Sequence, residues 1–88
     1  MTRYFKRPSI DVDNQSNEVT LYEKVEYDAN ADMTYVERKT ETITVVCSKI
    51  GEYKEDKVQS YSDGLKEEDW EEIRRDEYDD IVCTEYEE

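Results

Sequence analysis

The chain has 88 residues, with 25 Asp or Glu against 12 Lys or Arg, no histidine and a net charge of −13. That length supports one small domain, residues 1–88, with one modest core. The missing histidine removes Ser-His and Cys-His nucleophiles and the usual zinc ligand sets, and the strong negative charge argues against direct contact with nucleic acid or an anionic membrane.

Apolar residues make up 35% of the chain and charged residues 42%, a balance that leans towards disorder. Eight tyrosines, one tryptophan and one phenylalanine, with only two glycines and one proline, lean the other way. Aromatic side chains bury large areas, so tyrosines can supply much of a small core. Tyr27 and Tyr35 are the candidates for its inside.

The basic N-terminus, Arg3, Lys6 and Arg7, has no apolar run after it, so no signal peptide is expected. No stretch of about 18 apolar residues exists to span a membrane. Cytoplasmic residence follows. There the two cysteines, Cys47 and Cys83, are expected as reduced core residues, although neighbouring positions would let them pair on oxidation.

In chain order, residues 1–18 look irregular. Phe5 to Pro8 is extended, because a proline pushes its predecessor out of the helical region. Residues 9–13 alternate like a short strand, and Asn14 to Asn17 form a turn by composition. Val19, Leu21, Val25 and Tyr27 then share one face at a period of two, interrupted by Glu23. Residues 28–32 make a loop, and residues 33–40 return as the second arm of a hairpin. Residues 40–50 hold Thr40, Thr42, Ile43, Thr44, Val45 and Val46. These β-branched residues predict a central strand, either separate from the preceding one or continuous with it as a single bent strand. Residues 51–56 read as a turn and residues 57–61 as a further strand.

Ser62, Asp63 and Gly64 punctuate the chain, and residues 65–80 read as a helix. Ser62 or Asp63 would cap it. Trp70, Ile73, Glu77 and Ile81 would form a narrow apolar stripe. Residues 81–86 resemble a final strand or extended tail. The fold class is therefore α+β: a small antiparallel sheet of about four meandering strands, followed by one acidic C-terminal helix.

No catalytic set, metal site or cofactor motif emerges. A glycosidase needs only two carboxylates, but also a cleft that a core this small rarely provides. Asp11 to Glu18 faintly resembles a calcium loop but lacks the glycine at its sixth position, so a polar turn is the better reading. The chain is read as no enzyme.

The acid is not evenly spread. Residues 63–88 carry thirteen acidic and three basic side chains, a net of −10. As a helix, residues 67–80 would span about 20 Å with a net charge of −7. That is roughly one charge per 3 Å, close to the spacing along one DNA strand. The candidate partner-binding residues are Glu67, Glu68, Asp69, Glu71, Glu72, Asp76, Glu77, Asp79 and Asp80, with Tyr78 and Tyr86 beside them.

In size, lack of catalytic chemistry and acid-plus-tyrosine composition, the chain resembles the small acidic inhibitors of bacteriophages, the nucleic-acid mimics among anti-CRISPR and anti-restriction proteins. The resemblance implies a partner that is a basic nucleic-acid-binding protein, a nuclease or CRISPR effector, whose channel the acidic helix would occupy. It carries over no functional residue. The alternative is a protein-interaction module that binds through a sheet edge or tyrosine patch and is acidic only for solubility.

Overall fold

A computed structural model describes residues 1–10 and 18–87. The predicted turn at Asn14 to Asn17, the calcium-loop look-alike and most of the predicted strand at 9–13 lie outside the described residues. Six strands and two helices follow in the order β1 (Thr2–Ile10), β2 (Glu18–Asp28), β3 (Met33–Glu41), β4 (Val45–Lys54), α1 (Val58–Glu67), β5 (Glu71–Ile73), α2 (Arg75–Asp79) and β6 (Glu85–Glu87). All six strands join one sheet, ordered β5-β1-β2-β3-β4-β6. Every neighbouring pair is antiparallel except β4 and β6, which are parallel.

This corrects the expectation of four antiparallel strands and one long C-terminal helix. The expected hairpin is present as β2 and β3, with Val25 opposite Val36. The supposedly irregular N-terminus is instead a nine-residue strand. Its apolar and aromatic residues are interleaved with Arg3, Lys6 and Arg7, which masks the alternation. Pro8 fits because β5 pairs only with Tyr4, Phe5 and Lys6. Beyond them β1 is an edge, where a missing N–H costs no ladder bond.

The predicted bent strand is two strands, β3 and β4, joined by a turn at residues 42–44. Thr42 donates its N–H to the carbonyl of Thr44 at 2.8 Å. Ile43, at the tip, is fully exposed. The β-branched run hid this turn, which uses no glycine, proline or asparagine. Residues 51–54 continue β4, so the predicted turn begins only at Glu55.

The predicted strand at 57–61 is the first turn of α1. Val58, Tyr61 and Leu65 recur at spacings of three and four, which is helical periodicity. Val58 and Leu65 are buried and Tyr61 packs against the same cluster. Asp56 accepts from the Val58 N–H at 3.1 Å, satisfying one free amide of the first turn. The hydroxyl of the buried Thr34 ties the approach down, donating to the Glu55 carbonyl at 2.7 Å and accepting from the Lys57 N–H at 2.9 Å. Gly64, read as a break, lies within the helix and faces open space.

The predicted helix over 65–80 fails at Glu68. The N–H of Asp69 donates to Lys66 O at 3.2 Å and that of Trp70 to Leu65 O at 3.0 Å. Asp69 itself is left-handed, with φ 66°. This is a Schellman ending in which aspartate takes the usual place of glycine. Trp70 is thereby turned into the core beside Leu65. Burying that indole outweighs continuing an exposed helix, because an aromatic side chain contributes a few kcal/mol when removed from water.

One sheet face carries Phe5, Val25 and Val36 under α1, closed by Val58, Leu65 and Trp70. Glu23 lies fully buried in this face, opposite Arg38 on β3. Arg38 Nη2 donates to Glu23 Oε1 at 2.9 Å and its guanidinium sits over the Trp70 ring. Burial pushes the Glu23 carboxyl above its ordinary range, against the pull of Arg38. The nearby Tyr61 hydroxyl is pushed up to about 12, first by burial and then by Glu23.

The second face is covered by α2 and the segment after it. Among the described residues, Cys47 on β4 and Cys83 form a disulfide with Cα atoms 5.8 Å apart. The expectation of reduced cysteines is therefore corrected. The two runs that hold them are neighbours, as pairing requires.

Candidate acidic interface

The nine candidate acids do not lie on one rod. Glu67 ends α1, Glu68 and Asp69 form its exit turn, and Glu71 and Glu72 belong to β5. Asp76, Glu77 and Asp79 lie in α2, and Asp80 is its C-cap. The fold still keeps them near one another, because β5 is the outermost strand beside β1 and α2 packs on β1. All nine are exposed. They form a bent acidic border along one edge of the sheet, in place of a straight 20 Å element.

Three of them are matched within the chain. Arg3 donates to Glu72 through Nε at 2.9 Å and Nη2 at 2.7 Å, and Lys66 Nζ approaches Glu72 at 3.5 Å. The Arg3 guanidinium holds the Glu72 carboxyl below the usual range, while Glu72 raises Arg3. Lys6 Nζ lies 2.9 Å from Glu77, which raises the ammonium. Arg75 Nε donates to Asp79 at 3.3 Å, one turn along α2. Among the described residues, Glu67, Glu68, Asp69, Glu71, Asp76 and Asp80 form no ion pair. These six carry the available negative charge.

Tyr78 does not belong to the border. It is 2% exposed, with its ring 5.1 Å from that of Tyr4 and its hydroxyl donating to Glu37 at 2.8 Å. Burial, reinforced by Glu37, pushes its hydroxyl far above the ordinary range. Lys39 lies over the same ring at 4.0 Å and donates to the carbonyls of Tyr78 at 3.0 Å and Ile81 at 2.8 Å. Burial lowers the Lys39 ammonium. Tyr78 is thus the anchor that fixes α2 on the sheet. Tyr86 is exposed, but it sits in β6 at the opposite edge, opposite Cys47. Tyr27 and Tyr35, expected inside, are only half-buried.

Arg3, Lys6 and Lys66 pair with carboxylates of this border, a role that sequence reasoning did not assign to them. Arg3 and Lys6 sit in the N-terminal strand, far from their acidic partners in the chain. Only the antiparallel register of β1 with β5 brings Arg3 to Glu72.

A second surface lies at the far edge. Among the described residues, β6 pairs only with Val46, Cys47 and Ser48, so the outer edge of β4 continues past it. Ile50 and Tyr53 are partly exposed there, and the Tyr53 ring lies 5.9 Å from that of Tyr61. Lys57 and Ser60 complete a shallow depression of about 290 Å³ with the two tyrosines. Among the described residues, no group of three or more acidic or cysteine side chains is placed to hold a metal ion. Among the described residues, no helix is long and apolar enough to cross a membrane.

No protein-family model, curated protein or solved structure matches this chain.

Proposed function

We propose that this chain is a non-enzymatic binding protein whose acidic border engages a basic nucleic-acid-binding protein, a nuclease or CRISPR effector, and keeps nucleic acid out of its channel. The observation that carries this reading is the set of six exposed carboxylates that form no ion pair among the described residues: Glu67, Glu68, Asp69, Glu71, Asp76 and Asp80. They flank one sheet edge while Arg3 and Lys6 hold the strand and helix beneath them. A fixed acidic border can meet the lysines and arginines that ordinarily hold phosphates, and such pairing weakens as salt rises. Its site of action is then the cytoplasm that holds the target.

The test is affinity capture from bacterial lysate, with elution by duplex DNA and, separately, by salt. The wild-type chain should capture basic proteins that leave with DNA and at about 0.5 M salt, where surface charges are screened within about 4–5 Å. A variant with Glu68, Glu71, Asp76 and Asp80 all changed to lysine should capture none of them while keeping its circular-dichroism spectrum. Equal capture by the variant would reduce the border to a solvated surface.

The open part of β4, with Ile50 and Tyr53 beside Tyr61, favours a second reading. A partner strand could add to that edge and place an apolar side chain on the tyrosines. That interaction would survive the same salt and be weakened by Tyr53→Ala.

A further inference from the structure

The C-terminal arm crosses from one edge of the sheet to the other. Its first part is well anchored by buried Tyr78 and by Lys39, which holds the carbonyls of Tyr78 and Ile81. Its last part is different. All three residues of β6 are exposed, and among the described residues the strand pairs only with Val46, Cys47 and Ser48 of β4. Thr84 adds a local clamp, donating its N–H to Val45 O at 2.9 Å and accepting from Val45 N–H at 3.1 Å through its hydroxyl. Three exposed parallel residues bury too little to offset the loss of chain freedom on ordering. Cys83 lies between Ile81 and this strand, bonded to the buried Cys47.

We propose that the Cys47–Cys83 disulfide is a redox latch that holds β6 over the outer edge of β4. The reductant is a dithiol. Its thiolate attacks Sγ of Cys83, the less buried of the two cysteines, forming a mixed disulfide. The Cys47–Cys83 bond breaks and Cys47 leaves as a thiolate, which takes up a proton. The second thiol of the reductant then displaces Cys83, so the dithiol is oxidised to its disulfide as both cysteines become thiols. The arm stays fixed as far as Ile81, and residues 82–87 leave the sheet. The backbone edge of β4 that β6 covered then joins the part already open, lengthening the free edge from Lys49–Lys54 to the whole of Val45–Lys54.

In the oxidised state the edge is partly masked, as extended edges commonly are. In a reducing cytoplasm it opens. This inference concerns the edge opposite the acidic border and stands independently of the function proposed for that border.

Hydrogen exchange on the full chain, oxidised and then reduced with a dithiol, tests the latch. The amide of Val45, which donates to Thr84, and those of residues 84–87 should exchange at least about tenfold faster after reduction, while β2 and β3 keep their protection. Cys83→Ser should reproduce the reduced pattern without reductant. Unchanged protection in residues 84–87 would overturn the proposal, because β6 would then hold by itself. Equal acceleration throughout β2 and β3 would also overturn it, because the bond would then be a staple for the whole fold.

Discussion

The backbone N–H of Trp70 donates to the carbonyl of Leu65 at 3.0 Å, and this bond turns the chain out of α1. Asp69, between helix and tryptophan, pays for that turn with a left-handed backbone at φ 66°. Glycine adopts this conformation without steric cost, whereas a β-branched residue resists it most. Asp69→Gly should therefore stabilise the fold by about 1 kcal/mol, and Asp69→Val should destabilise it by about 1–2 kcal/mol. Urea unfolding midpoints of the two variants check both signs. Similar midpoints for the two would mean that the turn does not constrain this position.

That same turn explains what could be read from the sequence and what could not. The β2–β3 hairpin was legible because Val19, Leu21, Val25 and Tyr27 alternate and a polar loop follows. The helix boundary was not, because an aspartate in the left-handed position leaves no glycine to mark it. Beta-strand β1 was hidden for another reason. Arg3 and Lys6 look like surface cations until Glu72 and Glu77 are brought beside them by long-range pairing. The concentration of acid was legible, but its division into neutralised and available carboxylates depends on that pairing. Tyr78 shows the limit most directly, since nothing local distinguishes a buried anchor from an exposed contact.

Arg3 and Glu72 should give a measurable acid-limb effect. The Glu72 carboxyl is held below its ordinary value of 4.5 by the Arg3 hydrogen bonds. Its contribution to stability is present above that value and is lost as pH falls through the lowered folded value. The Glu72 side chain is more than one-third exposed, so solvent screening keeps the effect modest. Arg3→Ala should move the Glu72 titration upward, as followed by NMR, and flatten the loss of stability below pH 4.5. A Glu72 titration that does not move would show that the ion pair is absent in solution.

Glu23 should act with the opposite sign. Burial raises its carboxyl above 4.5 in the folded chain, despite Arg38. The folded state therefore holds the proton more tightly than the unfolded state does. This contribution is fully present below pH 4.5 and is lost as pH rises through the folded value. Glu23→Gln keeps the shape and removes the titration. The variant should lack this decline on the rising-pH side of 4.5 and, at pH 7, stay within about 1 kcal/mol of the wild type. Urea unfolding at several pH values measures the difference; identical pH profiles would rule out a buried, proton-holding Glu23.

Tyr78 and Lys39 should behave as one packed unit. The ring fills the space against Tyr4, and the lysine satisfies two carbonyls at the end of α2. Tyr78→Ala should destabilise by about 3–5 kcal/mol through the lost apolar contacts and the cavity left behind. Tyr78→Phe keeps the ring and loses only the hydroxyl bond to Glu37, so it should cost about 1 kcal/mol. Lys39→Met keeps most of the aliphatic stem but leaves the Tyr78 and Ile81 carbonyls without their donor, for about 1–3 kcal/mol. Because the Lys39 ammonium packs on the Tyr78 ring, the Lys39→Met/Tyr78→Ala double variant should lose less than the sum of the single losses. Additive losses would separate the lysine from the ring and leave α2 anchored by Tyr78 alone.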